Sequence, residues 1–133
     1  MPVRYFVTGE ILVVMVEGDY ASEELRRVGD AAVRAPGLPH PAPVLLDMSK
    51  AAGLNARSGR QLRATAAFFA ERADRIRRIA ILAPTDLSYG LMRMGATFGE
   101  TMGLVVGVFR SLDEAMRFLA GGAGPSSVED LRS

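Results

Sequence analysis

The chain has 133 residues, 49% of them hydrophobic and 23% charged, the balance of one globular domain with enough apolar content for a core. A formal net charge of +1 gives no global electrostatic case for nucleic acid or a membrane surface, and the basic charge is almost all arginine, with Lys50 the only lysine. The absence of cysteine excludes disulfides, thiolate catalysis and cysteine metal sites, and the single histidine, His40, cannot build a histidine-rich one.

In chain order, Met1-Pro2-Val3-Arg4 leads straight into strand-like sequence without the apolar stretch of a signal peptide. The longest apolar run, Ile11 to Val16, is too short to span a bilayer, so a cytoplasmic protein is expected. Arg4 to Val7 and Ile11 to Val16 are β-rich runs, and the glycine in the link Thr8-Gly9-Glu10 predicts a hairpin. Ser22 is the expected N-cap of a first helix, with Glu23 and Glu24 in its first turn and Leu25, Val28 and Ala32 on one face. Pro36-Gly37 stops it.

His40-Pro41-Ala42-Pro43 is a stiff connector into Val44-Leu45-Leu46-Asp47, an apolar run suited to a strand buried on both faces. A loop from Ser49 to Arg57 is expected next, then a second helix with Leu62, Ala66 and Phe69 inward. Ile79 to Ala83 is the next buried strand. Thr85 caps a third helix, along which Leu87, Leu91, Met94, Phe98 and Met102 follow helical spacing up to Gly103. Leu104 to Phe109 is the last strand. Ser111-Leu112-Asp113-Glu114 is a capping box opening a fourth helix, with Leu112, Ala115, Met116 and Leu119 inward. The Gly, Pro and Ser content of 121–133 predicts a loose tail after a domain over 1–120.

The order ββαβαβαβα implies an α/β fold: a mixed, mostly parallel five-stranded sheet, with the hairpin adding the antiparallel strand. That order, with Val44-Leu45-Leu46-Asp47-Met48-Ser49 at its centre, resembles the STAS family of SpoIIAA-type anti-sigma factor antagonists over about Arg4 to Ala120. It looks closest to the divergent branch called SpoIIAA-like, sometimes grouped with CRAL-TRIO-type lipid-binding folds. Ile79 to Leu87 and Val108 to Ala115 also look like that branch. The resemblance implies a non-enzymatic regulatory domain that binds another protein, a sigma-factor regulator or a kinase. In those proteins a strand ending Asp-x-Ser leads to Asp-Ser-Ser-Gly at a helix start, where a serine is phosphorylated. Here Asp47 and Ser49 match the strand end and Ser58-Gly59 the helix start. Between them the loop is longer, and Ala56-Arg57 stands where the family has Asp-Ser.

A phosphate on Ser58 would meet free backbone donors at the helix N-terminus, with Arg57 and Arg60 adding attraction. The plainer alternative is that Ser58 or Asn55 is only a cap. Arg57, Arg60, Arg63, Arg72, Arg75, Arg77 and Arg78 concentrate positive charge around the second helix, either a surface for an acidic partner or a solvated face. Gly95, Gly99 and Gly103, with Gly90 before them, predict close backbone approach inside the fold or across a homodimer. Met92, Met94 and Met102 are either core filling or one wall of a site for a small apolar or lipidic ligand, the alternative function. Met92, Gly95, Gly99 and Met102 are thus the candidate ligand or dimer surface. Asp47, Thr85 and Asp86 fall at strand carboxyl ends, where open α/β sheets place their sites, but no nucleophile–base pair accompanies them. With no phosphate loop or dinucleotide fingerprint either, neither catalysis, a cofactor nor a metal is expected.

Overall fold

A computed structural model describes residues 2–121. The tail expected beyond residue 121 lies outside the described residues. The elements run β1 (Val3–Thr8), β2 (Ile11–Asp19), α1 (Ser22–Val33), β3 (Ala42–Ala52), α2 (Gly59–Ala70), β4 (Ile76–Leu82), α3 (Asp86–Thr101), β5 (Val106–Phe109) and α4 (Leu112–Leu119). Short 3-10 turns at Leu54–Ala56 and Ala73–Arg75 flank α2. The expected order is present.

The sheet has strand order β1-β2-β3-β4-β5, with β1 antiparallel to β2 and every other pair parallel. Gly9, at φ 59°, opens a two-residue hairpin turn between Thr8 and Ile11. From β2 onward each new strand adds on the same side of the last. Right-handed crossovers in one direction put all their helices on one face, so α1, α2 and α3 share a face and α4 returns to the other. Strand alternation sorts the core accordingly. Leu12, Val14, Val44, Leu46, Ile79, Ile81 and Val108 belong to one cluster with the three helices. Val13, Leu45, Ala80 and Phe109 form a second with Ala115, Phe118 and Leu119 of α4.

Three expectations need correction. First, β3 does not end at Asp47 but continues to Ala52. Between Met15↔Asp47 and Glu17↔Lys50, one residue of β2, Val16, faces two of β3, Met48 and Ser49, which is a bulge. Asp47 Oδ1 accepts the Ser49 N–H at 2.9 Å and its hydroxyl at 2.6 Å. That local turn absorbs the extra residue, and Lys50–Ala52 resume pairing with Glu17–Asp19. Second, the inward faces of two helices are displaced. Helix α3 buries Ser88, Met92, Ala96 and Gly99 and leaves Leu87, Met94 and Met102 exposed. Helix α4 buries Ala115, Phe118 and Leu119 and exposes Leu112. The small face of α3 permits close approach to β5. A Cβ on Gly99 would sit 3.2 Å from Leu104 Cδ1 and 3.6 Å from Val106 Cγ1, whereas one on Gly90 would meet nothing within 4 Å. Gly103, at φ 100°, ends α3 by donating to the Glu100 carbonyl while Leu104 donates to that of Gly99.

Third, the caps differ in detail. Ala21, not Ser22, is the N-cap of α1, and no side chain caps it. Thr85 and Ser88 form a reciprocal capping box at α3. At α4, Ser111 Oγ accepts the Glu114 N–H at 3.2 Å, but the Glu114 carboxylate takes the Ser111 hydroxyl and not its backbone N–H.

Candidate functional site

Helices α2 and α3 cross the sheet side by side, and the residues meeting there are small. Ala66 of α2 and Gly95, Ala96 and Gly99 of α3 do not fill the space above Leu46, Ile79 and Ile81. A cavity of ≈ 70 Å³ remains, walled mainly by apolar side chains and including Met92. Its polar groups come from Tyr20, Ser22, Arg57, Gln61 and Thr65. Exposed Gln61 brings it to the surface at the start of α2.

The loop after β3 delivers Arg57 to this cavity. Gly53 holds φ 71°, a backbone conformation that favours glycine, while a Cβ there would only displace the exposed Asp19 carboxylate tip 2.7 Å away. The 3-10 turn follows, with Leu54 buried as its anchor. Arg57 comes next in extended conformation, and its side chain is only 9% exposed. The guanidinium lies 4.0 Å over the Tyr20 ring, donates from Nη1 to Ser22 Oγ at 2.9 Å, and donates from Nη2 to the Tyr20 carbonyl. Its nearest carboxylate is Asp19 at 3.8 Å, itself 84% exposed. Among the described residues the buried Nε has no hydrogen-bond partner. Burial pushes the Tyr20 phenol above its ordinary value of 10.0, with the Arg57 charge opposing the shift.

The residues singled out in the sequence separate into groups. Met92, Gly95 and Gly99 line the cavity, but Met102 does not and is exposed. Asp47 and Ser49 are engaged with each other in the bulge. Ser58 and Gly59 are exposed at the start of α2, where Ser58 Oγ accepts the Gln61 N–H at 3.1 Å and Gln61 Oε1 accepts the Ser58 N–H at 2.9 Å. Arg57, expected beside Ser58 as an outward charge, turns inward instead. Asp86 pairs with Arg110 at 2.6 Å rather than meeting Asp47 in a shared acid site. Among the described residues no group of three or more metal-ligating side chains converges, and no helix is long and apolar enough to cross a membrane.

Most of the clustered arginines are individually committed. Arg63 lies over Phe98. Arg72 lies over Phe68 and donates to Asp30 at 3.0 Å, a bond that holds the Asp30 carboxyl below its ordinary value, with Arg34 assisting. Arg77 and Arg78 donate to the Leu119 and Phe118 carbonyls at the end of α4. Phe68 precedes Arg72 by only four residues, but the rings four to five ångströms from Arg57, Arg63 and Arg78 come from distant segments of the chain and were not visible as a pattern. Sequence reasoning also missed Tyr20 and Ser22 as partners of Arg57. The one available signal was an arginine standing where the resembled family has a serine, next to the position matched by Ser58.

No family model matches the chain, and no curated protein matches it either. Among solved structures it is similar to an uncharacterized protein of the DUF3478 family from Shewanella loihica PV-4, which has a SpoIIAA-like fold. The two are 15% identical, and the match covers 88% of this chain and 91% of the other with a TM-score of 0.57. Such a likeness establishes architecture: the chain has the SpoIIAA-like fold that its sequence led us to expect.

Proposed function

On this SpoIIAA-like scaffold, we propose a non-enzymatic binding domain that holds a small, mainly apolar ligand between the α2–α3 pair and the sheet. The cavity carries this reading. The apolar walls above the sheet are left uncovered by α2 and α3, so an occupant of matching shape buries them and gains binding from that burial. The void also has a simple origin, in small residues placed together on neighbouring helices. Ligand sites in α/β and helical proteins are concave, apolar and furnished with few polar groups, as here.

Xenon provides the test, being apolar and small enough for such a space. Amide spectra recorded under xenon pressure are expected to shift at Met92, Gly95 and Ala96 and to stay unchanged around α4. No response at α3 would sink the reading.

A second reading, regulation by protein contact through phosphorylated Ser58, draws support from the exposure of Ser58 and Gly59 at a helix N-terminus. The inward turn of Arg57 removes one of the charges expected to assist it. A phosphoryl mass on Ser58 in protein taken from its own cells, together with a xenon-silent cavity, would make this second reading the better one.

A further inference from the structure

The chemistry of the cavity's polar end narrows the ligand class, given the reading above on which this inference rests. We propose that the ligand is a short aliphatic carboxylate whose acid group seats on the Arg57 guanidinium while its tail enters the cavity.

The charge balance at Arg57 comes first. A buried guanidinium needs a close anion and filled donors to offset its desolvation. The Arg57 side chain is 9% exposed, and among the described residues the carboxylate paired with it is the solvent-facing Asp19 at 3.8 Å. Its two hydrogen-bond partners, Ser22 Oγ and the Tyr20 carbonyl, are neutral. The Nε–H has no acceptor at all among the described residues, a costly omission for a buried polar group. The site therefore has only a distant, solvent-facing anion and is short of at least one acceptor among the described residues.

Geometry selects the head group. Nη1 is held by Ser22 and Nη2 by the Tyr20 carbonyl, so among the described residues Nε is the nitrogen left without an acceptor, and a planar carboxylate can take Nε–H while its second oxygen shares Nη2 with that carbonyl. In the proposed complex the guanidinium, which already lines the cavity, turns so that its enclosed Nε meets the acid group. Among the described residues lining the cavity Arg57 is the only charged one, so the second charge of a phosphate would find no further cation there. Size selects the tail. A cavity of about 150 Å³ takes the six carbons of benzene, so ≈ 70 Å³ takes roughly three carbons beyond the head group.

Butyrate is the probe, with 1-butanol as its uncharged counterpart and inorganic phosphate as an anion without a tail. Titrations of the full chain, followed through α3 amide shifts, are expected to give butyrate at least about tenfold tighter binding than butanol, and phosphate the weakest. Arg57→Gln is expected to abolish the preference for butyrate while butanol still binds. Gly95→Leu, which fills the cavity, is expected to exclude both. Equal affinity for butyrate and butanol in the wild-type protein would overturn the carboxylate assignment, as would phosphate binding as tightly as butyrate. A preference that survives Arg57→Gln would overturn the role of Arg57. Should that variant fail to fold, the wild-type comparison still decides. Xenon entry without butyrate preference defeats this inference alone, whereas xenon silence defeats the cavity reading with it.

Discussion

The two faces of the sheet share the same alternating strands but are covered differently. On one, α1, α2 and α3 lie over Leu12, Val14, Leu46, Ile79 and Ile81, and a cavity of ≈ 70 Å³ persists because α3 brings Gly95, Ala96 and Gly99 to the contact. On the other, α4 alone covers Val13, Leu45, Ala80 and Phe109, with Phe118 stacked 5.1 Å from Phe109. Arg77 and Arg78 fasten its C-terminal carbonyls, which suits the negative end of a helix dipole. More helix does not mean better filling: the size of the side chains at the contact decides it, and the space available for function lies where those are smallest.

The largest expected effect tests the filled face. Phe118 is 6% exposed, and Phe118→Ala removes both its stacking on Phe109 and the anchor of a short helix. We expect about 3–5 kcal/mol of lost stability in urea unfolding. A loss below about 1 kcal/mol, less than any buried aromatic truncation of this kind, would mean that α4 is loosely held and the contrast between faces is false.

Overpacking should give the next largest effect. Ala115 is fully buried on the inner face of α4, and Ala115→Leu forces a branched side chain in among Val13, Leu45, Ala80 and Phe109. A cost of about 1–3 kcal/mol is expected from the displaced neighbours. A neutral result, read from the same unfolding curves, would reveal unfilled space beneath α4.

The fold was legible wherever local signals agreed. Apolar runs gave the strands, and Thr85 and Ser58 stand at helix starts as capping residues do. What was not legible depended on contacts between distant segments. The bulge that prolongs β3 rests on Asp47 bonding Ser49, which a strand–loop boundary resembles closely. The most hydrophobic stripe of α3 was the natural choice for its inner face, yet Leu87, Met94 and Met102 are exposed because the sheet is approached by the smaller stripe one step round. Arg57 was read as an outward charge beside Ser58, and only its partners on Tyr20 and Ser22, more than thirty residues away, turn it in. Half of the site was therefore within reach: Met92, Gly95, Gly99 and Arg57 had been marked, but not Tyr20 and Ser22, nor that Arg57 turns in to form the polar end of the cavity.

The smallest expected effect discriminates within the open face, on the glycine stripe of α3 itself. Replacing a helical glycine by alanine is worth up to about 1 kcal/mol when the new methyl has room. At Gly95 a Cβ would meet only Leu62 Cδ2 at 3.9 Å, an ordinary contact beside the cavity, so Gly95→Ala should stabilise by about 0.5–1 kcal/mol. At Gly99 the same atom would press on Leu104 Cδ1 at 3.2 Å, and Leu104 is buried where the chain turns into β5. The propensity gain and the contact strain there oppose each other, leaving Gly99→Ala near neutral or destabilising. The two variants differ by one helical turn and share the same chemistry, so a difference in their midpoints isolates free volume from helix propensity. Equal stabilisation at both positions would mean that β5 yields easily to α3. The cavity would then be a soft contact rather than a defined space, and the tight fit inferred for a three-carbon tail would lose its basis.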